Sequence, residues 1–371
     1  MPLILSDEAR MVRDTALDFF RERSPITALR KLRDDNNATG FSRVLWRQIA
    51  ELGWTGFLIP EEDGGSGFGM TGLAQVMEAS GRTLAATPLL STALLGASLL
   101  SLAGSEDQKA LYLPPLLAGD HIVALALEET TRHAPDQITL TAKQDGTGYR
   151  LNGQKTFVLD GHIADTLIVA ARTETGMTLF LVPGEAATRT RLLMVDSRNA
   201  ARIRLDNLAV GPEAMLGRVN GGADLLNPVL DRARAGLAAE MLGSANEAFD
   251  RTVQYLKDRK QFGVPIGSFQ ALKHRAAQMF CEVETTRSAV LAAVSALDHK
   301  SNDAATLACL AKAKANETLF LCGNEAVQMH GGIGMTDEHE IGFFMKRSRV
   351  AQASFGDTGF CRDRYSALMG Y

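Results

Sequence analysis

The chain has 371 residues, too many for one simple hydrophobic core, so two or three lobes are expected. Apolar residues make up 46% and charged residues 22%, with a net charge of −4 and no dense Lys/Arg face, which argues against a nucleic-acid binder. Its four cysteines, Cys281, Cys309, Cys322 and Cys361, form no C-x-x-C pair, which argues against a disulfide framework or zinc site and fits a reducing cytoplasm.

Met1 to Arg23 alternates apolar residues with Asp7, Glu8, Asp14, Asp18 and Glu22, the pattern of an amphipathic helix and not of a signal or transit peptide. Three- and four-residue apolar spacing continues through Val12–Phe20, Val44–Leu52, Leu73–Leu84 and Leu89–Leu102, punctuated by Pro60, the run Asp63–Gly69 and Pro88. Leu89–Leu102 contains Ser, Thr and Gly and is short for a membrane span, so no membrane is expected. From His121 the texture changes to short β-type runs: 122–125, 138–141, 149–151, 166–170, 178–182 and 201–205. Gly146–Gly148, Asn152-Gly153, Thr175-Gly176 and Pro183-Gly184 read as the turns between them. Helical periodicity returns near Gly221, over about 222–258, 269–299, 302–330 and 338–351. The expected fold is therefore α+β and multidomain. It has an N-terminal helical domain (1–120), a middle antiparallel β domain (121–220) and a C-terminal four-helix bundle (221–371).

Gly67–Gly72 matches G-x-G-x-x-G, but Pro60–Gly65 before it cannot be a buried strand, so a loop opening a helix is the better reading. Asp337–Glu340 invites a metal assignment, but adjacent helical residues face different ways and a solvated surface is expected. No hydrolase elbow, phosphate-binding Walker loop or metal-spaced histidine cluster is present. Two segments carry more. Arg259–His274 joins two helices through Gly263, Pro265 and Gly267; Arg259 offers a fork of donors suited to a pyrophosphate, and Phe262 an aromatic face. Taken alone it reads equally as an interhelical turn. Gln328–Thr336 ends a helix and then places three glycines in four positions, Gly331, Gly332 and Gly334, more than a plain helix cap needs.

Together these segments resemble the acyl-CoA dehydrogenase family, along nearly the whole chain. Further marks are Pro60–Gly67, Leu151–Lys155 and Leu216-Gly217. The resemblance implies an α–β–α fold and FAD bound at a subunit interface, hence a homo- or hetero-oligomer, a dimer or tetramer. It places Arg259, Phe262, Gln270, Gln328, Gly331 and Gly332 on the ADP part of FAD. It also implies an acyl-CoA substrate oxidised at Cα–Cβ, with an electron-transfer flavoprotein as acceptor.

The chain departs from the family at its base. Gly356 stands where the usual C-terminal Glu is expected, and Ala233, before Arg234, occupies the minority position. Glu240 lies seven residues beyond Ala233, about two helical turns along the same face, with Gly236, Gly243 and Ser244 beside it. It is the candidate base, and pairing with an Arg or Lys of another helix is its structural alternative. The chain resembles a bacterial degradative subgroup, acting on bulky lipid or steroid-like substrates, that carries Ala-Ala-Glu at this place. Asp357 is the second candidate, with a turn or cap as its alternative. Arg234 is the candidate for holding the CoA thioester. The β domain has Leu127–Ala134 where the family has a Thr-Glu-Pro-x-Ala-Gly-Ser-Asp stretch. It has Phe157-Val158-Leu159 in place of Trp-x-Thr. Three functions stay open: an active dehydrogenase, a non-catalytic subunit of a mixed oligomer that helps bind FAD, and a flavin oxidase or monooxygenase.

Overall fold

The computed structural model describes residues 4–371; Met1–Leu3 of the expected N-terminal helix lie outside the described residues. Helix α1 (Asp7–Arg23) opens where the Ser6 side chain accepts the Ala9 N–H, with Asp7 and Glu8 in its positive first turn. There follow α2 (Ile26–Asp34), α3 (Arg43–Glu51), α4 (Gly69–Arg82), a π-helical stretch over Leu89–Gly96, α5 (Ala97–Ala103) and α6 (Glu106–Leu117). Helices α2 and α6 are absent from the sequence expectation. In α2 the apolar pattern is diluted by Arg30, Lys31 and Arg33, and α6 carries Pro114 and Pro115. A full capping box at Ser105 and Gln108 starts α6 nonetheless.

The strands are β1 (Val123–Ala126), β2 (Thr141–Asp145), β3 (Gly148–Leu159), β4 (Thr166–Arg172), β5 (Met177–Pro183), β6 (Thr188–Leu193), β7 (Asn199–Val210) and β8 (Met215–Leu216). The helical part resumes with α7 (Gly222–Asp258), a hairpin of β9 (Lys260–Gln261) and β10 (Val264–Pro265), then α8 (Gln270–Asp298), α9 (Ala304–His330), α10 (Ile341–Ala353) and α11 (Thr358–Leu368). The α–β–α order holds. The final region has one helix more than expected, because the break at Ser354–Asp357 hides α11 from a periodicity count.

The chain divides into two compact units, Leu32–Leu73 with Ala86–Ala233, and Met1–Lys31 with Ala74–Ala85 and Arg234–Tyr371. The first unit holds the sheet, ordered β6-β7-β3-β2-β4-β5-β8 with β1 also on β4. Most pairs are antiparallel as expected, but β1–β4 and β2–β4 run parallel. Asn152-Gly153 is no turn: it lies inside β3, where the register against β7 slips between Leu151 and Gly153. Gly153 has φ +143, and a Cβ there would lie 2.9 Å from the Leu140 Cα, so the bulge demands glycine. A second slip, between Lys155 and Val158, puts Phe157 at φ +51 with its ring partly exposed.

In the second unit, α8, α10 and α11 all pack on α9. The later part of α7 crosses α4 at very close range. A Cβ on Gly243 would overlap the Glu78 carbonyl oxygen, and one on Gly81 would overlap that of Glu240. Ser244 Oγ donates to the Gly81 carbonyl at 2.8 Å across the same crossing. Among the described residues, no helix is long and apolar enough to cross a membrane, and no group of three or more potential metal ligands gathers.

The crossing predicts that Gly243→Ala lowers stability by about 1–3 kcal/mol, because the overlapped atom belongs to backbone and the helices must separate. Denaturant unfolding midpoints for the two proteins check this; an unchanged midpoint would contradict so close a crossing.

Candidate active site

The loop after α7 is built by the β9–β10 hairpin, whose two turn residues, Phe262 (φ +52) and Gly263 (φ +80), are both left-handed. This geometry pushes the Phe262 ring outward, leaving it 92% exposed and edge-on to Phe269 at 6.1 Å. Arg259, Gln270, Gln328, Gly331 and Gly332 are exposed as well. At Gly263, Gly331 and Gly332 a Cβ would meet nothing within 4 Å, so the backbone there is open to a ligand.

The two loops are far apart in sequence but their bases touch. The Arg259 N–H donates to the Tyr255 carbonyl at 2.9 Å, one helical turn back. The Tyr255 ring stacks on His330, the residue before Gly331, with centroids 4.3 Å apart and planes 25° from parallel. His339 packs beside both rings, 4.7 Å from His330 and edge-on to Tyr255 at 6.5 Å. Arg251, one turn earlier on α7, donates Nη1 to Glu340 at 2.9 Å and fixes the same segment. Burial, reinforced by neighbouring positive charge from Arg251, holds the pKa of His330 and of His339 below the ordinary 6.5.

Glu240, 7% exposed, accepts from Arg347 Nη1 of α10 at 3.0 Å. The room that Gly243 seemed to offer is taken, because it faces the backbone of α4. Arg234 is fully buried on α7 and donates Nε to the Phe355 carbonyl at 3.0 Å, with its guanidinium 5.3 Å from the Phe360 ring. Asp357 is exposed and caps α11, its Oδ1 accepting the Phe360 N–H at 2.8 Å. Gly356 has φ +112, a value side chains rarely adopt, and a Cβ there would lie 2.5 Å from the Phe360 ring. Glu240 and Arg234 are six residues, about 9 Å, apart along α7 and engage different segments.

In the sheet-bearing unit, Lys155 is fully buried and ties down the segment that departs from the family pattern. Its Nζ donates to the Leu127 carbonyl at 3.0 Å and to Glu129 at 2.7 Å, while the Thr156 N–H donates to the Glu128 carbonyl at 2.7 Å. Burial pulls the Lys155 pKa down from 10.5 to about 8, against the pull of Glu129.

The residues that sequence reasoning passed over are Arg347, Lys312 and Tyr255, while His339, read as part of a solvated surface at Asp337–Glu340, is half-buried against His330. For Lys312 a weak signal existed: it is one of two cations, with Lys314, in the otherwise apolar run Ala308–Ala315. Arg347 sits in a charge-rich stretch where nothing distinguishes it.

Sequence profiles of the acyl-CoA dehydrogenase N-terminal, middle and C-terminal domains match residues 6–120, 125–208 and 220–367. The chain is 33% identical over 355 residues to acyl-CoA dehydrogenase IpdE2 of Mycolicibacterium smegmatis, covering 95% of this chain and 96% of that one. The chain belongs to the acyl-CoA dehydrogenase family. Members of this family are flavin-dependent oxidoreductases acting on the CH–CH bond of acyl-CoA thioesters. Among solved structures, it resembles a variant of the Tcur3481-Tcur3483 steroid ACAD, with TM-score 0.89 and 30% identity over 98% of both chains. It also resembles the ChsE4-ChsE5 complex of Mycobacterium tuberculosis, with TM-score 0.90 and 26% identity over 100% of this chain and 99% of that one.

The stack carries a pH prediction. Because the folded pKa of His330 lies below its unfolded value, the stability it lends is complete above pH 6.5 and lost as pH falls below that. His330→Asn should therefore lower the melting temperature more at pH 7.5 than at pH 5. A difference that stays constant or grows on acidification would speak against a neutral stacked imidazole.

Proposed function

We propose that this chain serves the FAD-dependent α,β-dehydrogenation of an acyl-CoA thioester to the 2-enoyl-CoA, with an electron-transfer flavoprotein as acceptor. The observation that carries this is the Tyr255–His330 stack, which seats the base of the Arg259–Phe262 loop against the base of the paired-glycine loop. A nucleotide diphosphate suits what those loops offer. The Arg259 guanidinium fits a pyrophosphate, the Gln270 and Gln328 amides can bond ring or ribose atoms, and open backbone at Gly331 and Gly332 allows close approach. An aromatic ring as exposed as Phe262 also calls for cover, which a nucleotide and a second subunit would supply together.

Bound flavin would accept the hydride from the substrate Cβ. This chain's own candidate for the α-proton is Glu240, held by Arg347. Arg234 would act on the acyl site through the turn it supports at Phe355. The likeness to a steroid ACAD supports a bulky acyl group from lipid or steroid degradation, and that to the ChsE4-ChsE5 complex supports an oligomer.

One set of observations favours a second reading, in which this chain completes the FAD site of a mixed oligomer and another chain supplies the base. Gly356 adopts a backbone that excludes a glutamate, Asp357 is spent as a helix cap, and Glu240 is already in an ion pair.

The visible spectrum of the purified chain, alone and with a co-expressed partner, tests both. Flavin yellow bleached by an acyl-CoA supports the reaction; colourless protein in every combination would sink it. Glu240→Gln should slow bleaching by about 10²–10⁴-fold if Glu240 is the base. An unchanged rate moves the base to the partner chain. Arg259→Gln should weaken FAD retention by roughly ten- to a hundredfold in either case.

A further inference from the structure

A pocket of about 210 Å³ lies in the sheet-bearing unit, between the loop after α2 and the turn from β6 to β7; Arg33, Arg191 and Arg198 are among its lining residues. Arg191 is held in place by neutral partners. Its Nη1 donates to the Asn37 carbonyl at 2.5 Å and its Nη2 to Asn199 Oδ1 at 3.2 Å, while Asn199 Nδ2 donates to the Thr39 carbonyl at 2.9 Å. Gly40, at φ +67, lets the loop come this close, since a Cβ there would lie 1.9 Å from Asn199 Oδ1. The guanidinium is thus fixed with two of its five N–H groups engaged.

The charges around the pocket are unevenly matched. Arg33 has Asp34 at 2.7 Å, and Arg198 has Asp196 at 3.8 Å. Among the described residues, Arg191 and its neighbour Arg189 meet only neutral acceptors, Arg189 through the Ala164 carbonyl at 2.9 Å. His162 lies near both. Its ring nitrogens are buried without a hydrogen-bond partner, the backbone of Ala38 and Thr39 being close but out of bonding geometry. Burial, reinforced by Arg191 and Arg189, pulls the His162 pKa from 6.5 down to about 4, so the ring is neutral near pH 7. Two half-buried guanidiniums therefore stand without a carboxylate, a cost that a bound anion would relieve. The rest of the lining is largely apolar, through Leu32, Leu192 and Met194, and Leu193 at the turn is 89% exposed.

We propose that this pocket binds a small amphiphilic carboxylate, its oxygens on the Arg191 guanidinium and its short hydrocarbon body on Leu32, Leu192 and Met194. A guanidinium fork matches the two oxygens of a carboxylate. The volume admits a chain of a few carbons and is too small for a drug-sized ligand. A bare oxyanion would leave the apolar wall uncovered, and a neutral alcohol would leave Arg191 without a counter-charge.

Titration calorimetry of the full chain with hexanoate, hexanol and inorganic phosphate tests this site. Hexanoate should bind with a Kd of about 1 mM or tighter. Hexanol and phosphate should each bind at least roughly tenfold more weakly. Arg191→Gln should weaken hexanoate binding by roughly ten- to a hundredfold. Met194→Glu sets a carboxylate in the pocket and should block hexanoate to the same extent; it decides the matter if Arg191→Gln fails to fold. Absence of hexanoate binding, equal binding of hexanol or phosphate, or an affinity unchanged in the variants overturns the proposal. Binding needs neither flavin nor turnover, so its failure leaves the proposed function standing, and a chain that binds hexanoate but never flavin overturns that function alone.

Discussion

Along the later part of α7, several polar side chains reach partners outside their own helix, and these contacts fix what surrounds it. Arg234 reaches the turn at Phe355, Glu240 reaches Arg347 on α10, and Ser244 reaches the Gly81 carbonyl on α4. Arg251 reaches Glu340, and Tyr255 lies on His330. A buried carboxylate or guanidinium left without its partner costs several kcal/mol, so sliding α7 by one turn against its neighbours would break several contacts together. The helix therefore acts as a ruler, setting how far the exposed loop at its end lies from the turn under Arg234.

The two ends of that ruler are anchored in different ways. The Arg259–Phe262 loop depends only on the end of α7 and on the His330 stack, and both are intact. The Ser354–Asp357 turn depends on carbonyls, not side chains, for its anchoring to Lys312 and Arg234. It can lose a side chain without losing its attachment.

Much of this was legible in the sequence wherever one local rule dominated. Apolar spacing of three and four located α1, α3, α4 and the long C-terminal helices, and the turn chemistry around Gly263 marked a connection open to a ligand. What stayed hidden was decided by distant partners. Asn152-Gly153 looks like a turn to any local rule, and only pairing with β7 makes it a bulge within β3. The parallel pairing of β1 with β4 leaves no mark on alternation. Glu240 illustrates the same limit for a site: a carboxylate among alanines signals a buried acid, but its partner Arg347 lies over a hundred residues away. The capping role of Asp357 was weighed from the residue alone because an N-cap is a local device.

Gly356 has an evolutionary corollary. Its backbone conformation and the Phe360 ring beside it close off the volume an acidic side chain would need. A side chain there would strain the backbone and press on that ring, so an acid at this position would need a second change beside it.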